Sequence, residues 1–218
     1  TAVEILFSKD LRQVRAIALG GAVIQLLLAF AFLYLYLQAR AGGNNSPMLF
    51  EDKYAWFTAL HINYHVGVDG ISLAMILLTA FVVVAGVLVS WTMEDMNKEF
   101  FFLLLLLSMG AYGFFISLDL FMMFFFLELS VIPKFLLIGI WGSGKKEYSA
   151  LKLALMLMAG SALVFVGLSG LYFNTSINGV HSFDLLEISK QNISPALQNL
   201  FFPFAFIGFG IFTALFPL

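Results

Sequence analysis

The sequence predicts an all-α protein, a polytopic transmembrane helix bundle with about six spans visible. Three observations predict it. Apolar residues make up 61 % of the 218 and charged residues only 11 %, against roughly 25 % charged in a soluble domain. Mean hydropathy is +0.98. The apolar runs are long and do not alternate, which favours spanning helices over the ten-residue alternating strands of a membrane barrel.

The spans follow in order. Residues 1–8 read as the tail of a preceding span, and Lys9, Asp10, Arg12 and Arg15 as a basic connection. Ala16 to Leu37 is the first full span. Ala39 to His65 is a long polar connection that starts with the turn cluster Gly42-Gly43-Asn44-Asn45-Ser46-Pro47. Leu60, Ile62, Tyr64, Val66 and Val68 alternate with His61, Asn63, His65 and Gly67, which predicts a short extended stretch at the membrane surface. Asp69 is placed to cap the second span, Ile71 to Trp91. Phe100 to Ser117 is the third span, and Asp119 marks a tight turn into the fourth, which ends at Gly142. Ala150 to Phe173 is the fifth. Asn174 to Gln198 is polar, with a short amphipathic helix suggested by Leu185, Leu186 and Ile188. Leu200 to Leu218 begins a sixth. No signal peptide is visible, and both ends read as edges of a longer chain: residues 1–218 are one partial membrane domain, expected to lack an opening helix and a C-terminal half.

Basic residues set the expected orientation. Lys9, Arg12, Arg15, Lys98, Lys145 and Lys146 fall on one side, and Arg40, Lys53 and Lys190 on the other. Six against three places the first side in the cytoplasm or its organellar equivalent. The net charge of −2 gives no basic face for nucleic acid. Without cysteine there is no disulfide frame and no cysteine-bound iron–sulfur cluster, and with three histidines a metal site is not expected.

The fourth span carries the charges that matter most. Glu128 lies near the middle of DLFMMFFFLELSVIPKFLLIGIWG. An ionised carboxylate there costs at least about 2.5–3.5 kcal/mol, so the expectation is an ion or proton site facing protein or internal water. A structural buried ion pair is the plainer alternative. Pro133, five residues on, lacks an N–H and crowds the Leu129 carbonyl, which predicts a kink and a free acceptor beside Glu128. Lys134 is about 9 Å along the axis from Glu128 and about 120° round the helix, so it either snorkels to the interface or faces another helix. Lys152, near the start of the fifth span, is either an interfacial anchor or a partner for Glu128. His61 and His65 are expected as surface or loop residues.

These residues together resemble the antiporter-like subunits of respiratory complex I, especially the NuoM type. HVGVDGISLAMILLT is similar to the entry of an early helix in that family. FFFLELSVIPKFLLIGIWG resembles its helix with a central Glu, a Pro five residues later and a Trp-Gly close, here Glu128, Pro133, Trp141 and Gly142. YSALKLALMLMAGS resembles the next helix, with Lys152 at the family's Lys. GFGIFTALFPL resembles a broken helix with a Pro, here Pro217. The resemblance covers nearly the whole chain and corresponds to roughly the first half of such a subunit.

The resemblance implies proton translocation driven by electron transfer in other subunits of an NADH–quinone oxidoreductase. Glu128 would be the switching carboxylate and Lys152 the neighbour that modulates it, with Pro133 and Pro217 as the kink and break. Lys134, unusual where it stands, is expected to supply a missing charge to the same cluster. NADH, FMN, iron–sulfur clusters and quinone would belong to partner subunits, with no redox centre in this chain. Its partners would be other membrane subunits and lipid. Its location would be the bacterial cytoplasmic membrane or an organellar inner membrane. One departure stands out: Phe212 occupies the position matching the family's Lys in the broken helix. Two other readings remain open, a subunit of a multisubunit sodium/proton antiporter and a structural membrane subunit with an inactive channel.

Overall fold

Capping residues and breakers set where the long helices of this chain start and stop. The computed structural model describes residues 4–5, 11–93, 96–176 and 179–215. Pro217 lies outside them. The elements are α1 (Leu11–Ala41), β1 (Leu49–Phe57), a 3-10 turn (Thr58–Leu60), β2 (Ile62–Val68), α2 (Gly70–Val89), α3 (Asn97–Ile116), α4 (Leu120–Leu129), α5 (Val131–Trp141), α6 (Lys146–Asn174), α7 (Leu185–Ser189) and α8 (Pro195–Phe212). Among the described residues six helical stretches are long and apolar enough to cross a membrane, with α4 and α5 together forming one of them. The protein is a multi-pass integral membrane protein.

The chain divides into two compact units. One comprises Thr1–Phe50 and Val68–Ile116, the other Glu51–Gly67 and Ser117–Leu218.

In the first unit α1, α2 and α3 pack together. Val14, Ala18 and Ala22 of α1 meet Val83, Val87, Phe101 and Leu105. A second cluster joins Ala29 and Tyr36 to Leu73, Ile76 and Ala80. On α2 the buried positions step by three and four, which is one helical face. Small residues on α1 let the backbones approach, as in other membrane bundles. Asp69 caps α2 by accepting the Ser72 N–H at 2.7 Å, as the sequence predicts. Arg40 closes the end of α1. It donates to the Tyr36 hydroxyl at 3.1 and 3.2 Å and to the carbonyls of Asn44 and Ser46 at 3.0 and 2.7 Å.

The second unit starts from the hairpin. The predicted extended stretch is β2, and it pairs with a second strand, β1, that lies within the expected long polar connection. LFEDKYAWF shows no alternation because all but its first residue are exposed. His61 sits in the left-handed region (φ 51°) where the 3-10 turn ends. Residues 117–119 are clasped on both sides. The Leu118 N–H donates to the His65 carbonyl at 2.8 Å, and the Leu118 carbonyl accepts the Leu185 N–H at 2.8 Å. The Phe183 and Tyr172 rings stack beside this junction, 4.1 Å apart.

The α6–α8 pair is the tightest helix contact of this unit. A Cβ on Gly208 would lie 2.8 Å from the Gly160 carbonyl oxygen, so only glycine permits the approach. Helix α8 ends in a Schellman-type cap, with Leu215 N–H on Gly210 O (2.8 Å) and Ala214 N–H on Ile211 O (3.2 Å). Its left-handed residue is Ala214 (φ 53°), a conformation that an L side chain adopts at a cost of roughly 1–2 kcal/mol.

Helix α6 begins at Lys146, earlier than the expected Ala150. Lys152 therefore stands nearly two turns inside the helix, about 9 Å from its start. The first span is also longer than expected at both ends.

Candidate functional site

The expected fourth span is interrupted at Ser130, which separates α4 from α5. Pro133 is the physical reason: it has no N–H to give the Leu129 carbonyl. Ser130 keeps helical dihedrals (φ −77°, ψ −17°), so the interruption is a local loss of bonding and not a loop. Its N–H is shared between the Phe126 and Leu127 carbonyls at 3.3 and 3.2 Å, and its hydroxyl donates to Leu127 O at 2.7 Å.

Glu128 stands just before this break. Its Oε1 is buried and has no hydrogen-bond partner. The Ser161 hydroxyl of α6 lies beside the carboxyl, but it also donates to the Met158 carbonyl at 2.9 Å. Lys134 reaches back over one turn of α5 and donates to Ser130 Oγ at 3.2 Å. The residue is half-buried at the break, and its hydrogen bond is to Ser130 and not to Glu128. Lys152 is exposed and nine residues before Ser161, about 13 Å along α6. Glu128 has no ion-pair partner among the described residues. The structure thus brings Glu128 to Ser161 and Lys134 to Ser130, and joins neither lysine directly to the carboxylate. Phe212 is the last residue of α8, half-buried.

A second constellation was not read from the sequence. His65 is buried, contrary to the expectation of a surface or loop residue. Its Nδ1 lies 2.8 Å from Asp184 Oδ2, and Asp184 is 1 % exposed. Lys53 donates to the same oxygen at 2.7 Å and to Glu187 Oε1 at 2.9 Å. Asp184 Oδ1 caps α7 by accepting the N–H groups of Leu186 and Glu187 at 3.0 and 3.3 Å. Asp119, fully buried, caps α4 through Phe121 and Met122 at 2.9 and 3.2 Å. Its other oxygen accepts the Asn63 N–H at 3.0 Å. Asp119 and Asp184 face each other across an antiparallel bridge.

The charges of this cluster tune one another. Burial works against the Asp184 carboxylate, but hydrogen bonding to Lys53, the adjacent His65 ring and the Lys53 charge outweigh it and hold the group below its usual range. Glu187 is likewise lowered: burial opposes it, and the Lys53 hydrogen bond prevails. Lys53 is raised, because Asp184 and Glu187 outweigh its partial desolvation. Asp119 goes the other way: burial raises it above the usual range, against the three backbone N–H groups it accepts. No spacing rule could have paired His65 with Asp184, which are 119 residues apart. The one local signal was Asp184 standing directly before an apolar helical turn. Among the described residues no three His, Asp or Glu side chains are grouped to hold a metal ion.

Residues 117–218 match the family model described as NADH:quinone oxidoreductase/Mrp antiporter, TM. The chain is 30 % identical over 215 residues to NAD(P)H-quinone oxidoreductase chain 4-2 of a Synechocystis strain, covering 99 % of this chain and 37 % of that protein. It therefore spans a little over a third of the length of that relative. Two solved structures share the fold. A chain of respiratory complex I from Thermus thermophilus aligns with TM-score 0.76 at 21 % identity, over 96 % of this chain and 40 % of that one. A chain of the membrane-bound sulfane sulfur reductase, an archaeal respiratory membrane complex, aligns with TM-score 0.77 at 21 % identity, over 100 % and 42 %. Residues 117–218 thus carry the match to the NADH:quinone oxidoreductase/Mrp antiporter transmembrane family, and similarity to a quinone oxidoreductase chain runs along nearly the whole length.

Proposed function

We propose that this chain is part of a proton-translocating membrane subunit of a complex I-type NADH–quinone oxidoreductase. The observation that carries the reading is Glu128: a carboxyl oxygen buried without a partner, at a proline-induced break, inside an apolar span. Such a group binds and releases a proton as its surroundings change, because no ion pair holds it in one state. The Leu129 carbonyl that Pro133 leaves without its helical N–H, the Ser130 hydroxyl and the Ser161 hydroxyl supply polar stepping points that water could join. Lys134 is the nearest cation on the same span. It provides positive charge in a chain whose matching position on α8 is Phe212, while Lys152, nine residues before Ser161 on α6, would modulate the carboxylate from a distance. Pro217 would mark the break after α8. Electron transfer would take place on partner subunits holding FMN, iron–sulfur clusters and quinone and oxidising NADH or a related donor. The relative's printed name, an NAD(P)H-quinone oxidoreductase chain, supports that assembly.

The test is Glu128→Gln in the full-length protein within its native complex, in sealed vesicles. Donor-driven proton uptake should fall by on the order of tenfold or more with assembly intact. Unchanged uptake would leave Glu128 structural. Phe212 favours that second reading, a membrane subunit with a silent channel, since the family's own lysine is absent there. An antiporter subunit is the other alternative, and co-purification without flavin and iron–sulfur subunits would favour it.

A further inference from the structure

The His65–Asp184 pair is not used by the Glu128 reading, and it has the geometry of an oriented base facing water. Asp184 is ionised and buried, so the His65 nitrogen 2.8 Å away, Nδ1, carries the proton and donates it. That fixes the ring and leaves Nε2 as the free acceptor. Nε2 points towards Glu51, whose Oε2 is 3.9 Å away. This is too long for a direct hydrogen bond and suits a bridging water. The two groups line an open cavity of about 350 Å³, together with Asp52, Lys53, Glu187 and Lys190.

A purely structural tie does not need this histidine. Lys53 already supplies the counter-charge for Asp184, and the α7 N–H groups fill its other oxygen. A neutral amide would occupy the remaining position equally well. The imidazole adds a nitrogen that can change its protonation in contact with solvent, between one buried carboxylate and one exposed carboxylate. Asp119 starts α4 and Asp184 follows α6, so the cluster is at the end of this unit opposite Lys145 and Lys146, which lie at the start of α6. Helix α6, with 29 residues, is about 43 Å long.

We propose that His65, oriented by Asp184, is a proton-exchange site through which this subunit equilibrates protons with the aqueous phase on the side opposite its basic loops. The step is simple in its balance. A proton carried by water or by Glu51 binds Nε2 and makes imidazolium, stabilised by the Asp184 carboxylate. The same Nε2 proton then leaves to a water or buffer base in the cavity. No electrons move, and Nδ1 keeps its proton throughout. The groups facing the ring are Glu51 and Lys53 from β1, and Asp184 and Glu187 from the segment around α7. Asp119 lies behind, across the bridge to Asp184.

The inference rests on the proton-translocating reading above, and the test separates the two. His65→Ala and His65→Gln are placed in the full-length protein in its native complex, in vesicles at low buffer concentration. Both should slow donor-driven proton translocation on the order of tenfold, with assembly and uncoupled electron transfer retained. Added imidazole should restore the His65→Ala rate. Pyrazole, nearly the same shape but not a proton carrier at neutral pH, should not. Equal rescue by pyrazole, absence of rescue by imidazole, or unchanged translocation in His65→Gln overturns the proposal. Failure of both variants to assemble overturns it as well, since His65 would then be a structural tie. If the wild-type vesicles translocate no protons, the underlying reading falls and this one with it.

Discussion

At the scale of single residues, the tightest electrostatic constraint is one oxygen of Asp184 shared by Lys53 and His65. Replacing Asp184 with Asn removes that charge and strands donors from Lys53 and His65. The expected cost is about 1–3 kcal/mol, seen as earlier thermal loss of the hairpin in the detergent-solubilised complex. Lys53→Ala should cost less, up to about 1 kcal/mol, because its amine is partly solvated. The pH dependence has a definite sign. Asp184 and Glu187 are lowered in the folded state, so their stabilisation is complete above the ordinary carboxylate range, about 4, and is lost as pH falls through their folded values. Lys53 is raised, so its share persists below the ordinary lysine value and is lost only as strongly alkaline pH passes its folded value. Asp119 is raised and opposes the carboxylates: its contribution belongs to acid pH and fades as pH rises through its folded value. Amide exchange in β2 should therefore stay slow from neutral pH to about 5 and accelerate below about 4. The same acid step in Asp184→Asn, undiminished, would show that other groups govern it.

Single elements were legible to different degrees. The spans were plain because lipid and protein interiors both demand long apolar runs. Which face of a helix packs was not: Leu73, Ile76 and Ala80 of α2 are buried while Ile71, Leu78 and Val82 are exposed, and all six are apolar. The break at Ser130 followed from Pro133, although its exact place did not. Strand β1 was missed because neither of its faces is covered by apolar packing that would impose alternation. The burial of His65 depends on a partner from a distant loop. The α6–α8 contact is likewise silent in composition, yet its geometry is strict. Gly208→Leu would force a side chain against the Gly160 carbonyl and Val164, with an expected cost of about 1–3 kcal/mol. Gly20→Leu is the control, since a Cβ there meets nothing within 4 Å. Thermal stability of the two purified variants decides it. Equal stability would mean that α6 and α8 are not pressed together as described.

At the scale of the whole molecule, the reading depends on the protein having two different ends. The basic-residue asymmetry sets the expectation for them, and the second unit allows a clean check. Lys145 immediately precedes α6, and Lys190 follows α7 on the far side of it; both are exposed. A helix of about 43 Å exceeds the roughly 30 Å hydrocarbon layer, so one crossing must separate the two lysines. The chain has no cysteine, which makes single-cysteine substitutions specific within it. In right-side-out vesicles of the native complex, a membrane-impermeant maleimide should label Lys190→Cys and spare Lys145→Cys. Inverted vesicles should give the reverse. Labelling of both from one side would break the assignment of α6 as a span and remove the aqueous exit from the His65 cavity. Opposite sides with the polarity inverted would keep the span but place the His65 cavity on the other aqueous side.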